Sequence, residues 1–239
     1  MIRSLIILLV IPLYTVVASL FAIPIAQLTR SPAILYFLGR LGVRMGLAIA
    51  GVRVRARGRE KIAADPHLIY MSNHSSNLDG PVVFTQLPGE VKALGKKEVF
   101  RLPVLARVMR LAGFIPVDRS DRTAAIRSMQ LAAAAARQGA SFFLAPEGTR
   151  SSNGELLPFK KGGFHMALEA GVPIMPITIR GARDLMPRGS FAVRPGVVEV
   201  VFHDPVPTAG LTKNDMEGLV AEVRNRIASG LAAPPPLGG

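Results

Sequence analysis

The pattern of apolar and polar positions divides the chain near residue 52. Leu5 to Ile23 carries no charge and only Pro12 to bend it. About twenty apolar residues are what a helix needs to cross or enter a bilayer. A second apolar segment, Pro32 to Val52, is interrupted by Arg40 and Arg44, which fall on one helical face. That suits a helix lying in the interface with its arginines at headgroup level. The run Val52-Arg53-Val54-Arg55-Ala56-Arg57 then alternates with period two, as a half-buried strand with a basic outer face does.

Beyond residue 60, short apolar runs alternate with helical patterns. Strands are expected over 67–71, 91–94, 113–117, 141–144, 174–179 and 197–202, and helices over 81–87, 102–111, 123–138, 162–170 and 215–229. Such alternation predicts an α/β fold: a mostly parallel central sheet flanked by helices, preceded by an N-terminal two-helix membrane anchor. The anchor is expected over 1–52, the α/β domain over 53–230, and a flexible Pro- and Gly-rich tail over 231–239. The first segment also fits a signal peptide, with Arg3 as its basic end and Val16-Val17-Ala18 as a cleavage site.

Composition narrows the chemistry. The 239 residues include no cysteine, which removes disulfides, thiol nucleophiles and thiolate metal sites. The four histidines are scattered, with no His-Glu-x-x-His pair, so no metal site is expected. His165, at helical spacing from Glu169, and His203, at a strand end, read as structural. The net charge of +13 would suit nucleic acid, but there is no Trp and aromatics are only 6%. With a mean hydropathy of +0.35, an anionic membrane surface is the better partner, and no nucleic acid is expected. From Met1 to Lys61 nine basic residues face one acid, Glu60, which predicts the cytosolic side of the membrane.

The most pointed stretch is Asn73-His74-Ser75-Ser76-Asn77-Leu78-Asp79, directly after the apolar run 68–71. On one continuous helix His74 and Asp79 would lie roughly 140° apart and about 7.5 Å apart along the axis, too far to bond. Pro81 is tolerated only in a first turn, so the helix starts near 78–80 with His74 outside it, and the two side chains can then meet. Asp79 would fix the tautomer of His74, leaving the other ring nitrogen as a general base. Taken alone, the stretch also fits a capped helix beside a satisfied polar histidine.

Three further strand ends carry cations and turn residues: Lys96-Lys97-Glu98, Gly113 to Arg119, and Phe143-Leu144-Ala145-Pro146-Glu147-Gly148-Thr149-Arg150. Cations and backbone N–H groups converging at strand C-termini are what a phosphate monoester needs, and strand ends in such a fold share one crevice.

These segments, in this order, resemble the glycerophospholipid acyltransferases, most closely the bacterial 1-acylglycerol-3-phosphate (lysophosphatidic acid) acyltransferases. His74 with Asp79 resembles the family's first block and Gly113 to Arg119 its second. Phe143, Glu147, Gly148, Thr149, Arg150 and Ser151 match the third, and Val172-Pro173-Ile174-Met175-Pro176 the fourth. Lys96-Lys97 and Lys160-Lys161-Gly162-Gly163-Phe164 are similar to the stretches that accompany them, and the likeness spans roughly 50–205. It implies direct transfer of an acyl chain from acyl-CoA or acyl carrier protein to the sn-2 hydroxyl of 1-acylglycerol-3-phosphate, giving phosphatidic acid, without other cofactors. His74 would be the base and Asp79 its orienting partner, with backbone N–H groups near the helix start meeting the oxyanion. Lys96, Lys97, Arg119, Glu147, Gly148, Thr149 and Arg150 would form the acceptor-phosphate pocket. The expected location is the cytosolic face of the inner membrane. Gly80-Pro81 and Pro116 depart from the family pattern and bear on the acyl-chain route. Other readings are an acyltransferase acting on another lysolipid such as lyso-ornithine lipid, a lipid hydrolase, and a non-catalytic membrane-binding module. The chain has no Gly-x-Ser-x-Gly elbow, which speaks against the hydrolase.

Overall fold

The computed structural model describes residues 2–62, 67–118 and 120–232. Two apolar helices, α1 (Ile2–Thr29) and α2 (Ala33–Ala50), form an antiparallel hairpin. The first apolar run therefore extends past Ile23 and through Pro24; it breaks at Arg30, the one non-glycine residue with positive φ (52°) among those described. Pro32 follows two residues later and closes off helical continuation. The hairpin packs closely because Gly42 leaves room for an aromatic ring: a Cβ there would lie 2.5 Å from Cε1 of Tyr14. The Tyr14 hydroxyl donates across the hairpin to the Leu38 carbonyl at 2.8 Å.

The remaining elements in chain order are β1 (Val52–Arg57), β2 (Ile69–Ser72), α3 (Asp79–Gln86), β3 (Lys92–Lys96), α4 (Pro103–Leu111), β4 (Ile115–Val117), α5 (Arg122–Arg137), β5 (Phe142–Leu144), α6 (Gly162–Ala170), β6 (Ile174–Arg180), α7 (Ala182–Leu185), β7 (Gly196–Phe202) and α8 (Met216–Ala232). The seven-stranded sheet has the order β1-β7-β6-β2-β5-β3-β4. Every pairing is parallel except β6 with β7. Strand alternation splits the core into two layers. Tyr70, Met175 and Ile177 face α2, α3 and α7, while Ile69, Met71 and Ile174 face α5, α6 and α8. In β1 the three arginines point to solvent, as the period-two pattern predicts.

Two expectations change. α8 continues through Leu231 and Ala232, so the described part of the expected tail is helical; the rest of 231–239 lies outside the described residues. Arg40 does not reach toward headgroups. It turns inward, donates to the Leu87 and Gly89 carbonyls past the C-terminal end of α3, and stacks 5.4 Å from the Phe84 ring centroid. A helix end presents unpaired carbonyls, and a planar guanidinium satisfies them while its faces pack on aromatic rings.

The reversal at β7 positions the anchor. β6 ends at Arg180 on the same sheet edge where β2 ends at Ser72. The return strand β7 begins there, and Gly51 at the end of α2 accepts from the Gly196 N–H at 3.1 Å. The apolar hairpin and the C-terminal ends of β2, β5 and β6 are thereby held at one edge of the molecule.

Candidate active site

β2 delivers Asn73 and His74 to this edge. Asn73 continues the sheet through its side chain: its amide accepts from the Ile179 N–H at 2.8 Å and donates to the Ile179 carbonyl at 2.9 Å. The chain can then leave β2 without unpairing β6. His74 is pinned by its own backbone on both sides. Its N–H donates to Glu147 Oε1 at 2.6 Å, and its carbonyl accepts from the Ser151 N–H at 2.8 Å.

The turn 74–79 brings the imidazole back onto the first residue of α3. His74 Nδ1 lies 2.9 Å from Asp79 Oδ2, and the same oxygen accepts the Ser75 and Ser76 N–H groups at 2.7 Å each. Asp79 is 1% exposed and His74 23%. A carboxylate only accepts, so Nδ1 carries the proton and Nε2 is left as the basic nitrogen. Asp79 Oδ1 is buried and without a hydrogen-bond partner. Leu78 and Asp79 donate their N–H groups to the Ser76 side chain and carbonyl. Four of the helix-start N–H groups expected to meet an oxyanion, those of Ser75, Ser76, Leu78 and Asp79, are thus already engaged within the turn.

The third strand end closes over the dyad. Glu147 is 2% exposed, with Oε2 accepting the Leu157 N–H at 3.0 Å while Oε1 holds His74. Burial pushes its carboxyl up from the ordinary value, and the two backbone N–H bonds pull against that. Within the segment expected to shape the phosphate pocket, Glu147 is turned toward backbone donors. An anion with both oxygens committed to backbone donors does not take a second anion; it braces His74. Gly148 sits in the left-handed region (φ 69°) beneath the stem of Lys160, where a Cβ would come within 2.9 Å. Thr149 is exposed. Arg150 is half-buried, its Nη1 enclosed and without a partner, and its carbonyl accepts from Arg188 at 2.9 Å.

Of the lysine pair, Lys97 is ion-paired with Asp118, whose carboxyl is held well below the usual range by Lys97 and Ser120. Lys96 is 60% exposed and only loosely paired, 3.8 Å from Glu98. Arg119 lies outside the described residues. His203, expected to be structural, is bonded to the buried Thr178 at 2.8 Å. Glu169 pairs with Arg137 rather than His165.

Beside the 74–79 turn, between α1, α2 and α4, lies an apolar cavity of about 490 Å³. Leu8, Ile11, Val43, Leu78, Phe84 and Met109 contribute to its wall, which reaches Asn77 and Leu78 of the 74–79 turn. Sequence reasoning gave no sign of this cavity, of the Asn73–Ile179 pair or of the bond from Ser76 Oγ to the Met186 carbonyl at 2.8 Å. All three depend on residues more than a hundred positions apart or on inter-helix space, which local spacing does not encode.

Against known proteins, the family model described as Acyltransferase matches residues 53–180, more than half of the chain. The chain belongs to the acyltransferase family. Within that family, a 1-acyl-sn-glycerol-3-phosphate acyltransferase from Limnanthes douglasii is 35% identical over 192 residues, covering 80% of this chain and 68% of the relative. The alpha 1-acyl-sn-glycerol-3-phosphate acyltransferase of Homo sapiens is 35% identical over 178 residues, or 74% of this chain and 63% of its own. The crystal structure of the 1-acyl-sn-glycerophosphate acyltransferase PlsC from Thermotoga maritima aligns with a TM-score of 0.84 at 24% identity, over 98% of this chain and 97% of that one. That likeness shows a shared fold over nearly the whole acyltransferase chain, the N-terminal helices included.

Proposed function

We propose that this acyltransferase moves an acyl chain from an acyl thioester, acyl-CoA or acyl carrier protein, to the sn-2 hydroxyl of 1-acylglycerol-3-phosphate, giving phosphatidic acid. The observation that carries the reading is the dyad: a histidine whose Nδ1–H is held by a buried carboxylate and whose Nε2 has no hydrogen-bond partner among the described residues. Nε2 takes the proton of the acceptor hydroxyl as its oxygen attacks the thioester carbon. The tetrahedral adduct collapses with loss of the thiolate, and the imidazolium returns the proton to sulfur. Asp79 stabilises the imidazolium between those two steps.

The enclosed, unpartnered Nη1 of Arg150 supports a phosphate-bearing acceptor. A buried guanidinium N–H without an acceptor is costly, and a substrate phosphate supplies one. Lys96 is the freer of the two lysines to join it. The apolar cavity against Leu78 has a size and lining suited to an acyl chain.

α1 has the length and hydropathy to cross a bilayer, yet it is fastened to the α/β domain at both ends. Near its start, Arg3 donates to the Ala50 carbonyl and Ser4 accepts from the Val193 N–H. Near its end, Ala22 and Ala26 pack with Tyr36 and Ala112. A helix of about 42 Å fastened near both ends to one domain lies on the membrane rather than through it. Its exposed row Leu5, Leu9, Leu13, Leu20 and Phe21 then faces lipid. The basic N-terminal segment favours the cytosolic face of the inner membrane.

The test is conversion of lysophosphatidic acid and labelled acyl-CoA to phosphatidic acid by the wild type, His74→Ala and Arg150→Ala, repeated with acyl carrier protein as donor. His74→Ala should lose at least ~10²-fold in turnover, the usual weight of a general base. Arg150→Ala should raise KM for the phosphate acceptor by roughly 10- to 100-fold, as loss of a charge-assisted hydrogen bond does, with KM for the donor unchanged. Equal activity on an uncharged lysolipid acceptor would overturn the acceptor assignment.

A further inference from the structure

The segment joining α7 to β7, residues 186–195, sits at the active-site edge and takes no part in the chemistry above. At its tip is Phe191, 75% exposed and the one exposed large aromatic among the described residues outside α1 and α2. Between residues 181 and 198 the chain carries Arg183, Arg188 and Arg194 against a single acid, Asp184. Arg188 and Arg194 are both exposed.

The placement of this loop is specific. Two residues after Phe191, the Val193 N–H donates to Ser4 Oγ in the first turn of α1 at 3.0 Å. Phe191 and Val193 share the rim of the apolar cavity with Ser4, Ile7 and Leu8. Leu8, 55% exposed in the apolar row of α1, lines this cavity together with Phe191, so the exposed apolar surface of α1 meets Phe191 there. On its inner side the loop holds the catalytic machinery: the Met186 carbonyl accepts from Ser76 Oγ, and Arg188 donates to the Arg150 carbonyl.

We propose that 186–195 is a second lipid-contacting element: Phe191 inserts beside the first turns of α1, and Arg188 and Arg194 meet anionic phospholipid headgroups. This rests on the reading of α1 as an interfacial helix. Continuity with that apolar row argues for a bilayer over a soluble partner. An aromatic flanked by arginines matches the layering of the interface, apolar side chain toward the acyl chains and guanidinium toward phosphate. The loop then forms the lip of the acyl cavity on the membrane side and ties lipid contact to the two segments that hold His74 and the acceptor phosphate.

The absence of tryptophan from the chain makes the test direct, because Phe191→Trp introduces the only indole. The full-length variant is reconstituted into phosphatidylcholine–phosphatidylglycerol vesicles, with bromine placed at shallow or deep acyl positions. The expected result is a shift of emission to shorter wavelength on vesicles and stronger quenching by shallow than by deep bromine. Leu211→Trp, on the opposite face of the sheet, should show neither. Ala192→Trp reads the same loop should Phe191→Trp not fold. Unchanged emission from vesicle-bound protein would overturn the proposal. So would a blue shift that follows protein concentration without lipid, which would assign the patch to a second copy of the chain. The readout needs no turnover, so an inactive protein that still shows the shift would remove the acceptor assignment and leave this one standing.

Discussion

Replacing Asp79 with asparagine separates what the carboxylate does by charge from what it does by shape. In most His/carboxylate pairs an asparagine can flip, present its amide to the histidine and force the wrong tautomer. Here the turn forbids the flip. The Ser75 and Ser76 N–H groups converge on the same oxygen that holds His74 Nδ1, so the asparagine oxygen must occupy the Oδ2 position. Its NH₂ then falls where Oδ1 is now, a buried position with no partner in either case. Geometry and tautomer survive, and only the charge is lost. For charge centres about 4 Å apart at an effective dielectric near 20, that interaction is worth about 4 kcal/mol. At about 1.4 kcal/mol per decade this is ~10³-fold in rate as a ceiling, and roughly 10²-fold once partial solvation of the imidazole is allowed for.

The assay is steady-state conversion of lysophosphatidic acid with acyl-CoA, with a thermal melt on the same preparations. Asp79→Asn should lose kcat, keep both KM values and melt near the wild type. Asp79→Ala should also lose stability, because the two serine N–H groups become buried and unpaired at ~1–3 kcal/mol each. Wild-type turnover within tenfold for Asp79→Asn would show that the carboxylate only scaffolds the turn, and the charge reasoning would fail. A large drop in melting temperature for the asparagine variant would refute the pinned-oxygen geometry instead.

Two further outcomes follow from other buried groups. Glu147→Gln offers one acceptor where the His74 and Leu157 N–H groups need two, so the melt should reveal a loss of ~1–3 kcal/mol and kcat should fall as His74 shifts; a neutral effect on both would deny the brace. His203, with its pKa lowered by burial and then by Lys61 and Arg226, stays neutral in the fold below the pH at which the unfolded chain takes up its proton. The unfolded state then binds more protons, so stability is full above about pH 6.5 and declines as pH falls through that value toward the lower folded pKa. Melting temperature against pH should slope less between 7.5 and 5.5 in His203→Gln, an interval that brackets the free imidazole at about 6.5; parallel curves would count against it.

The strands and helices were legible where local pattern decides them. β1 alternates because one face is wet, and α3 starts at Asp79 because Pro81 permits nothing earlier to be helical interior. The meeting of His74 and Asp79 follows from the same proline. Roles that depend on orientation were not legible. Glu147 lies between a strand and a Gly-Thr-Arg turn and reads as part of an anion pocket, yet burial turns it toward backbone donors. Arg40 sits on a helical face that reads as interfacial, but the carbonyls beyond α3 and the Tyr36 and Phe84 rings capture it from within. In both cases the residue type specifies a charge, and only the tertiary packing specifies its partner.

The precision of the site comes from strands that are neighbours in space and distant in sequence. β2 lies between β5 and β6, and each contributes a hold on the residues that leave it: Ile179 beyond the middle of β6 clamps Asn73, while Glu147 and Ser151 beyond β5 clamp the backbone of His74 on both sides. Asp79 then needs only one turn of chain to reach the imidazole. An imidazole fixed in this way sits at a set height above the sheet edge. The antiparallel return of β7 ties the apolar hairpin to that same edge through Gly51 and Gly196. In the proposed reading, with α1 on the lipid surface and His74 as the base, these hydrogen bonds set the depth at which an acceptor anchored by its own acyl chain meets the imidazole.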